Sequence, residues 1–411
     1  MKKSKFIILI VFALVITNIS AYLLGKNSAK GFELDFSKNE TTTEKKDVKT
    51  DGPDFFDKQT ADTLGAVVGH IKKNYYKNVD NETLNVGLIK GVVNSLDDPY
   101  SEFMTKEELK KFMESTNGKY VGVGLVVSPG KDGYITVVSP IKGSPAYKAG
   151  IKSGDRIIKV DDVEYSAETM QDAVNKMRGE EGKTVSITIL RDEQKQKKVH
   201  EFKIKRETIK LQTVDGRIIE KNIGYIAISE FDKPTYEDFM KEFEALKKKG
   251  IQKLILDLRG NPGGLLDVCT KIADVFLDKG TIVYTKYKDG KKEYYYSDEK
   301  KEDLPLVVLV NGGSASASEI VSGALKDRKR AKLVGTQTFG KGIVQRLFNL
   351  PFETAVKLTI SEYFTPNGNN IHKVGIKPDE VVELPENVKG IGPDHLSEDT
   401  QLKKALEILK F

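Results

Sequence analysis

Residues 306–320 constrain the fold more than any other segment. Five aliphatic residues, 306–310, lead through the small residues 311–317 directly into a helical pattern. An apolar run of this length is typical of a strand buried on both faces. Open α/β sheets place their ligands at the carboxyl ends of such strands. The segment therefore predicts an α/β core with a candidate site at the turn.

Similar strand patterns recur from about residue 211 onward and alternate with helical patterns. The predicted strands are 223–228, 253–258, 306–310 and 331–334. The predicted helices are 236–249, 265–277, 318–329 and, near the end of the chain, 400–409. Alternating strands and helices predict an α/β core, which we assign to 208–385, followed by a C-terminal helical segment, 386–411.

The hydrophobic period is different in the residues before this core. Residues 55–112 carry apolar side chains at helical spacing and predict a helical N-terminal domain. Residues 113–207 contain alternating runs such as 121–127, which predict a compact β-rich domain with one helix near 166–177. Residues 31–54 are too polar to offset their ordering entropy and predict a flexible linker.

The first 30 residues carry a membrane-targeting pattern. Lys2, Lys3 and Lys5 precede the 19 uncharged residues 6–24. A helix of this length, at about 1.5 Å per residue, nearly spans a hydrocarbon core of about 30 Å. Residues 27–29 are a poor cleavage site, so a single uncleaved transmembrane helix is favoured over a signal peptide. The leading lysines predict that everything after residue 30 lies on the extracytoplasmic side of the cell membrane.

Composition excludes several classes of function. The chain has 66 basic and 60 acidic residues, and a formal net charge of +6 is no nucleic-acid signature. Cys269 is the only cysteine in the sequence, which excludes an internal disulfide and a Cys/His zinc cluster. None of the four histidines lies next to the 311–317 turn, and nothing points to a Ser-His-Asp triad. We expect neither a metal nor a cofactor.

Three serines, Ser314, Ser316 and Ser318, lie in the small-residue turn. All three suit turn and capping roles, and Ser318, just before Glu319, suits the helix N-cap best. Ser316 would instead stand at the turn itself, with N–H groups of the helix start beside it to meet an oxyanion. Position alone leaves both interpretations open.

Another predicted strand leads into a glycine-rich loop that contains Lys341. Residues 335–341 match the first seven positions of a phosphate-binding G-x-x-x-x-G-K loop. Gly342 stands where a Ser or Thr would ligate magnesium, which disfavours an ATPase. Apolar neighbours such as Phe339 would desolvate Lys341, lower its pKa and fit it to activate a serine as general base. The alternative is an exposed lysine in a turn.

A third loop, Asp-Leu-Arg-Gly-Asn-Pro-Gly-Gly at 257–264, also follows an apolar strand and opens a helix. Its last two residues, Gly263 and Gly264, are the informative ones. They either supply an N–H group to an oxyanion hole or only allow a tight turn.

Together the three loops resemble the carboxyl-terminal processing proteases, also called tail-specific proteases, and the resemblance covers nearly everything from residue 55 onward. It implies that Ser316 is the nucleophile and Lys341 its general base. It also implies that Gln345, one helical turn beyond, orients the lysine. The implied oxyanion hole uses the N–H groups of Ala317 and of one of the two loop glycines.

The β-rich domain resembles a PDZ domain in two segments, 120–126 and 144–155. Such a domain adds a peptide as a strand and receives its terminal carboxylate in a nest of N–H groups. The resemblance implies that the peptide is bound by Val121, Gly122, Val123, Gly124 and Leu125. Arg178 is a candidate polar link from this domain to the protease core.

The sequence thus predicts a multidomain α+β protein with an α/β serine protease core, a PDZ domain, an N-terminal helical domain and one transmembrane helix. The implied function is a membrane-anchored extracytoplasmic endopeptidase that binds substrate C-terminal tails and cleaves by a Ser-Lys(-Gln) mechanism. Its implied partners are protein or peptide substrates and the membrane. Residues 96–104 also resemble a region that mediates dimerisation in some relatives, which implies a homodimer. The alternative is a noncatalytic membrane-anchored PDZ adaptor or holdase, which needs neither Ser316 nor Lys341.

Overall fold

The computed structural model describes residues 57–193 and 196–410. The predicted anchor, 1–30, and linker, 31–54, lie outside the described residues. Within the described ranges, no helix combines the length and the apolar character needed to span a bilayer.

The N-terminal part of the described chain is helical, as its spacing predicts. Its elements are α1 (Lys58–Asn74), α2 (Asn81–Asn94), β1 (Glu102–Met104) and α3 (Lys106–Thr116). Each helix begins at a polar cap, because the side chains of Asp57, Asp80 and Thr105 accept N–H groups of the first turn. Helix α1 buries none of its residues and α2 buries only Val93. The strand β1 was not predicted.

The β-rich prediction for the next unit is confirmed. Its elements are β2 (Lys119–Gly122), β3 (Leu125–Pro129), β4 (Ile135–Pro140), α4 (Pro145–Ala149), β5 (Arg156–Val160), β6 (Val163–Glu164), α5 (Met170–Met177), β7 (Thr184–Glu193), β8 (Gln196–Lys205) and β9 (Glu207–Lys210). Strands β3-β4-β5-β7-β8 form an antiparallel sheet, with β6 paired to β5. Its inward side chains, including Ile135, Ile157 and Ile187, are fully buried. Strands β2 and β9 pair at the two ends of the unit.

The α/β core contains all the strands predicted for it, within two residues at either end. Its elements are β10 (Val214–Glu220), β11 (Ile223–Ile228), α6 (Thr235–Lys248), β12 (Lys253–Asp257), α7 (Leu266–Asp274), β13 (Gly280–Tyr287), β14 (Lys292–Ser297), β15 (Leu306–Val310), α8 (Ala317–Asp327), β16 (Lys332–Gly335), β17 (Ile343–Leu350), β18 (Thr354–Phe364), β19 (Glu380–Val381) and α9 (Thr400–Lys410). The central sheet runs β10-β11-β12-β15-β16-β19 and is parallel except at β10.

Helices cover both faces of the central sheet. Phe239 and Phe243 of α6 pack edge to face against Phe276 in the main core, which also contains α7 and α8. Leu402 and Leu406 of α9 cover the other face. Burial on both faces explains the continuous apolar runs in the strands. Because β12, β15 and β16 are parallel neighbours, their carboxyl ends meet at one edge of the sheet.

A second, antiparallel sheet was not predicted. It runs β1-β18-β13-β14. Strands β1 and β13 pair with different parts of one edge of β18, and β17 pairs along its opposite edge. Strand β18 buries the polar side chains of Lys357 and Ser361. These residues hide the apolar alternation by which a strand is recognised. This sheet brings β1 of the helical unit against the α/β core.

Candidate active site

Ser316 lies at the sharp turn between β15 and α8. Its backbone has φ 51° and ψ −113°, a conformation in which a non-glycine residue is strained. The serine is the N-cap residue of α8 and is buried. The prediction that Ser318 caps this helix is wrong, because the helix begins at Ala317, one residue before it.

The neighbouring serines have structural roles. The Ser314 hydroxyl donates to the carbonyl of Leu258 at 2.8 Å, and the Ser318 hydroxyl donates to that of Asn261 at 2.9 Å. Both carbonyls belong to the segment that runs from β12 into the 257–264 loop. Because these two hydroxyl protons are used to join the loops, Ser316 is left as the candidate nucleophile among the three.

Glu319 joins the serine turn to the lysine loop, a role that the sequence analysis missed. Its Oε2 accepts the N–H groups of Ser316 at 2.9 Å and Lys341 at 2.8 Å. Its Oε1 accepts the Thr338 hydroxyl at 2.5 Å and the Gly340 N–H at 2.8 Å. The Ser-x-x-Glu spacing of a capping box was the available signal. Burial raises the pKa of Glu319, and the four donors oppose that rise.

Lys341 is buried rather than exposed in a turn, because only 3% of the residue is accessible to solvent. Burial, helped by the charge of Lys357, lowers the pKa of Lys341 to about 7, although Asp98 and Glu319 act in the opposite direction. The resemblance to a phosphate-binding loop is misleading. The N–H groups of Gly340 and Lys341, which would cradle a phosphate, donate to Glu319 instead.

Gln345 lies in β17, so the expectation that it stands one helical turn beyond Lys341 is wrong. A β-bulge separates Val344 from Gln345 and locally changes the direction of the side chains. Gln345 is fully buried, and its Nε2 donates to the hydroxyl of Thr359 at 3.2 Å. Among the residues that the structure describes, its Oε1 finds no hydrogen-bond partner. A buried acceptor of this kind requires a donor.

The two loop glycines differ in their surroundings. A side chain at Gly263 would come within 2.8 Å of the Ser316 Cβ and 3.0 Å of the Ala317 nitrogen, so this residue lies directly against the serine turn. Its N–H donates to the Asn261 side chain at 2.8 Å. A side chain at Gly264 would come within 2.4 Å of the Phe231 carbonyl oxygen. The close approach of the serine turn to Gly263 and of the Phe231 backbone to Gly264 therefore demands glycine at both positions.

Of the five residues predicted to bind a peptide in the PDZ unit, Val123, Gly124 and Leu125 line a cleft. This cleft of about 50 Å³ between the start of β3 and α5 is lined by Tyr120, Val123, Gly124, Leu125, Val174, Met177 and Arg178. Val121 and Gly122 lie instead in β2, paired with Thr208 and Glu207 of β9. Neither of them is among the residues that line the cleft.

Arg178 contacts Tyr120 within the PDZ unit and approaches Glu114 of the helical unit. Its guanidinium lies 4.6 Å from the centre of the Tyr120 ring. One of its nitrogens is 4.0 Å from a carboxylate oxygen of Glu114 on α3. These contacts connect the PDZ cleft to α3, and the predicted link to the protease core stays a prediction.

Three family profiles match the chain. Peptidase family S41 matches residues 222–382, a PDZ domain matches 136–191, and the N-terminal domain of the activating protease CtpB matches 14–108. The first match contains Ser316, Lys341 and the 257–264 loop. The fold and the site therefore define a serine peptidase that carries a PDZ domain.

Curated relatives narrow this class. The carboxy-terminal processing protease CtpA of Bacillus subtilis (strain 168) is 39% identical over 386 residues, which cover 93% of this chain and 78% of the relative. The probable CtpA-like serine protease of Staphylococcus aureus (strain N315) is 40% identical over 320 residues, which cover 77% of this chain and 63% of the relative. A solved putative S41 protease from Bacteroides fragilis shares the fold, with a TM-score of 0.54 and 16% identity over 87% of this chain and 99% of that one.

The chain belongs to the carboxy-terminal processing proteases of peptidase family S41. It is therefore a serine-type peptidase and not a noncatalytic PDZ adaptor.

Proposed function

We propose that this peptidase is a membrane-anchored, extracytoplasmic endopeptidase that cleaves with Ser316 and Lys341 and selects substrates by their C-terminal tails. The observation that carries the catalytic part is the Glu319 carboxylate. A single oxygen, Oε2, accepts the N–H groups of both Ser316 and Lys341. The nucleophile and the base are thus held on one rigid support, as catalysis by a preorganised pair requires.

Lys341 acts as the general base. Its pKa of about 7 leaves roughly half of the molecules with a neutral amine at pH 7. An exposed lysine with a pKa of about 10.4 would be neutral in only about one molecule in 2,500 at that pH. The neutral amine accepts the proton of the Ser316 hydroxyl while Oγ attacks the peptide carbonyl. The resulting ammonium then returns a proton to the leaving amine, and water completes deacylation.

The charges formed in this reaction have partners in the site. The unpaired Oε1 of Gln345 is the acceptor proposed for the Lys341 ammonium. For the oxyanion, we assign the N–H groups of Ala317, at the start of α8, and Gly264. Gly264 is preferred over Gly263 because the Gly263 N–H already donates to Asn261. No metal or cofactor has a step in this scheme.

The PDZ cleft supplies the tail recognition. A substrate C-terminus is proposed to add as a strand beside β3, with Val123, Gly124 and Leu125 at its carboxylate. Arg178 lines the same cleft and brings a positive charge to it. A terminal carboxylate is favoured there over an internal peptide segment.

The proposed location and assembly rest on the N-terminal region. The uncharged residues 6–24 after three lysines support a cytoplasmic N-terminus and an extracytoplasmic protease, and membrane fractionation with protease protection measures this. Val67, Leu88, Ile89 and Val92 expose 40–49% of their surface on α1 and α2. Such an apolar surface supports a homodimer through the helical unit, which sedimentation of the full chain measures.

The test is cleavage of an unfolded reporter with an apolar C-terminal tail by the full chain in detergent. We expect Ser316→Ala and Lys341→Ala to abolish cleavage while each variant stays folded. For the wild type, kcat/KM rises with pH about a midpoint near 7, because only the neutral amine accepts a proton. Lys332→Ala, at an exposed lysine, is the matched control and stays active. Activity in Lys341→Ala, or a midpoint near pH 10, contradicts the assignment.

A further inference from the structure

The segment 98–104, which precedes and forms β1, is fixed against β18, the strand paired with the β17 strand that holds Gln345. The Ser101 hydroxyl accepts the Thr359 N–H at 3.0 Å and donates to Asp98 at 2.6 Å. Thr359 in turn accepts from the Gln345 amide at 3.2 Å. A short chain of hydrogen bonds therefore connects this segment to the residue proposed to orient the base.

Tyr100, in the same segment, lies over the base itself. The Nζ of Lys341 is 4.6 Å from the centre of the Tyr100 ring. The Tyr100 N–H donates to Asp98 at 3.0 Å, which fixes the backbone that carries the ring. The face of an aromatic ring attracts an ammonium group through its quadrupole, and the attraction grows when both groups are desolvated. It does little for a neutral amine.

We propose that Tyr100 is a positioning residue for Lys341, and that its ring face stabilises the ammonium formed when the lysine accepts the serine proton. This inference rests on the proposed function, because it needs Lys341 to be the base. It extends the reaction machinery into the helical unit, outside residues 222–382, which match peptidase family S41.

The ring acts together with the charged groups that face the lysine. Asp98, beside the ring, and Glu319, on α8, favour the ammonium, whereas Lys357, on β18, disfavours it. Burial and the two carboxylates raise the pKa of Tyr100, so the ring is a neutral phenol throughout the working range. Tyr100 therefore favours the ammonium through its ring face without adding a full negative charge.

Two substitutions separate the ring from its hydroxyl. In Tyr100→Leu, we expect kcat/KM at its plateau to fall about tenfold, because the ammonium loses the ring face. The acid limb of the pH profile moves to lower pH by roughly half a unit or more, because the pKa of the lysine falls. Tyr100→Phe keeps the ring face, so its plateau stays within about twofold of the wild type and its limb is unmoved.

The pH limb distinguishes this role from a structural one. Tyr100→Met fills similar space with a flexible apolar chain and is expected to move the limb as Tyr100→Leu does. Slower cleavage with an unmoved limb in both folded variants overturns the inference, as does wild-type behaviour of Tyr100→Leu. Lys341→Ala is measured in parallel. If it retains activity, the proposed function fails; if it is inactive while Tyr100→Leu behaves as wild type, only the Tyr100 inference fails.

Discussion

Replacement of Glu319 by glutamine tests whether one carboxylate holds the active site together. The substitution keeps the shape of the side chain and changes one acceptor oxygen into an NH₂ donor. At present Oε1 accepts from Thr338 and Gly340, and Oε2 accepts from Ser316 and Lys341. Whichever end carries the NH₂ group, two of the four hydrogen bonds are lost.

The four partners of Glu319 are all donors in this structure. Three of them are backbone N–H groups, and the fourth, the Thr338 hydroxyl, accepts the Ile376 N–H at 2.6 Å and so directs its proton to Glu319. Hydrogen bonds to a charged group contribute about 1.5–3 kcal/mol each, so the loss of two costs about 3–6 kcal/mol. The uncharged amide no longer carries the cost of a buried charge, so the expected loss of stability is about 3 kcal/mol.

The assay combines urea unfolding with reporter cleavage. We expect kcat/KM to fall by at least about a hundredfold, because a displacement of about 1 Å between reacting groups has that effect. Glu362→Gln, at an exposed carboxylate on β18, is the control and should change stability by less than about 0.5 kcal/mol. If Glu319→Gln matches this control in both measurements, the carboxylate does not organise the site.

Two further predictions concern charge. Lys357→Met should move the acid limb of kcat/KM to higher pH, opposite to Tyr100→Leu, because the Lys357 charge lowers the pKa of Lys341; a shift to lower pH contradicts this electrostatic role. Asp399→Asn should cost about 3 kcal/mol in urea unfolding at pH 7, because it breaks a buried pair with Arg259. That pairing holds the pKa of Asp399 below its usual value, so its contribution is present above about pH 4 and is lost as pH falls through the lowered pKa. An equal difference between wild type and variant at pH 7 and pH 2 refutes it.

The central sheet could be predicted because its strands are buried on both faces. Residues 306–310 are all apolar and fully enclosed, so their pattern does not depend on any partner. The antiparallel sheet is different. Lys357 and Ser361 occupy buried positions in β18, and Lys357 is stabilised there by an ion pair with Glu102 from a distant part of the chain. A partner of that kind is invisible to a local pattern.

The distinction between local patterns and long-range partners also applies to the candidate active site. Ser316 and Lys341 became candidates because each follows a strand in a glycine-rich or small-residue loop, which is a local property, and the family resemblance implied their roles. Glu319 looked like an ordinary first-turn acid of a helix, although its spacing from Ser316 indicated a reciprocal cap. Tyr100 carried no local signal at all, because its contact with Lys341 exists only once β1 has joined β18.

The pairing of β1 with β18 also sets the order in which parts of the site can assemble during synthesis. Glu102 and Lys357 are 255 residues apart in sequence. A chain made from its N-terminus completes the helical unit, the PDZ unit and the serine turn before β18 exists. The contact between Tyr100 and Lys341 depends on β1 lying against β18, so the surroundings of Lys341 can be completed only after residue 364 has been synthesised.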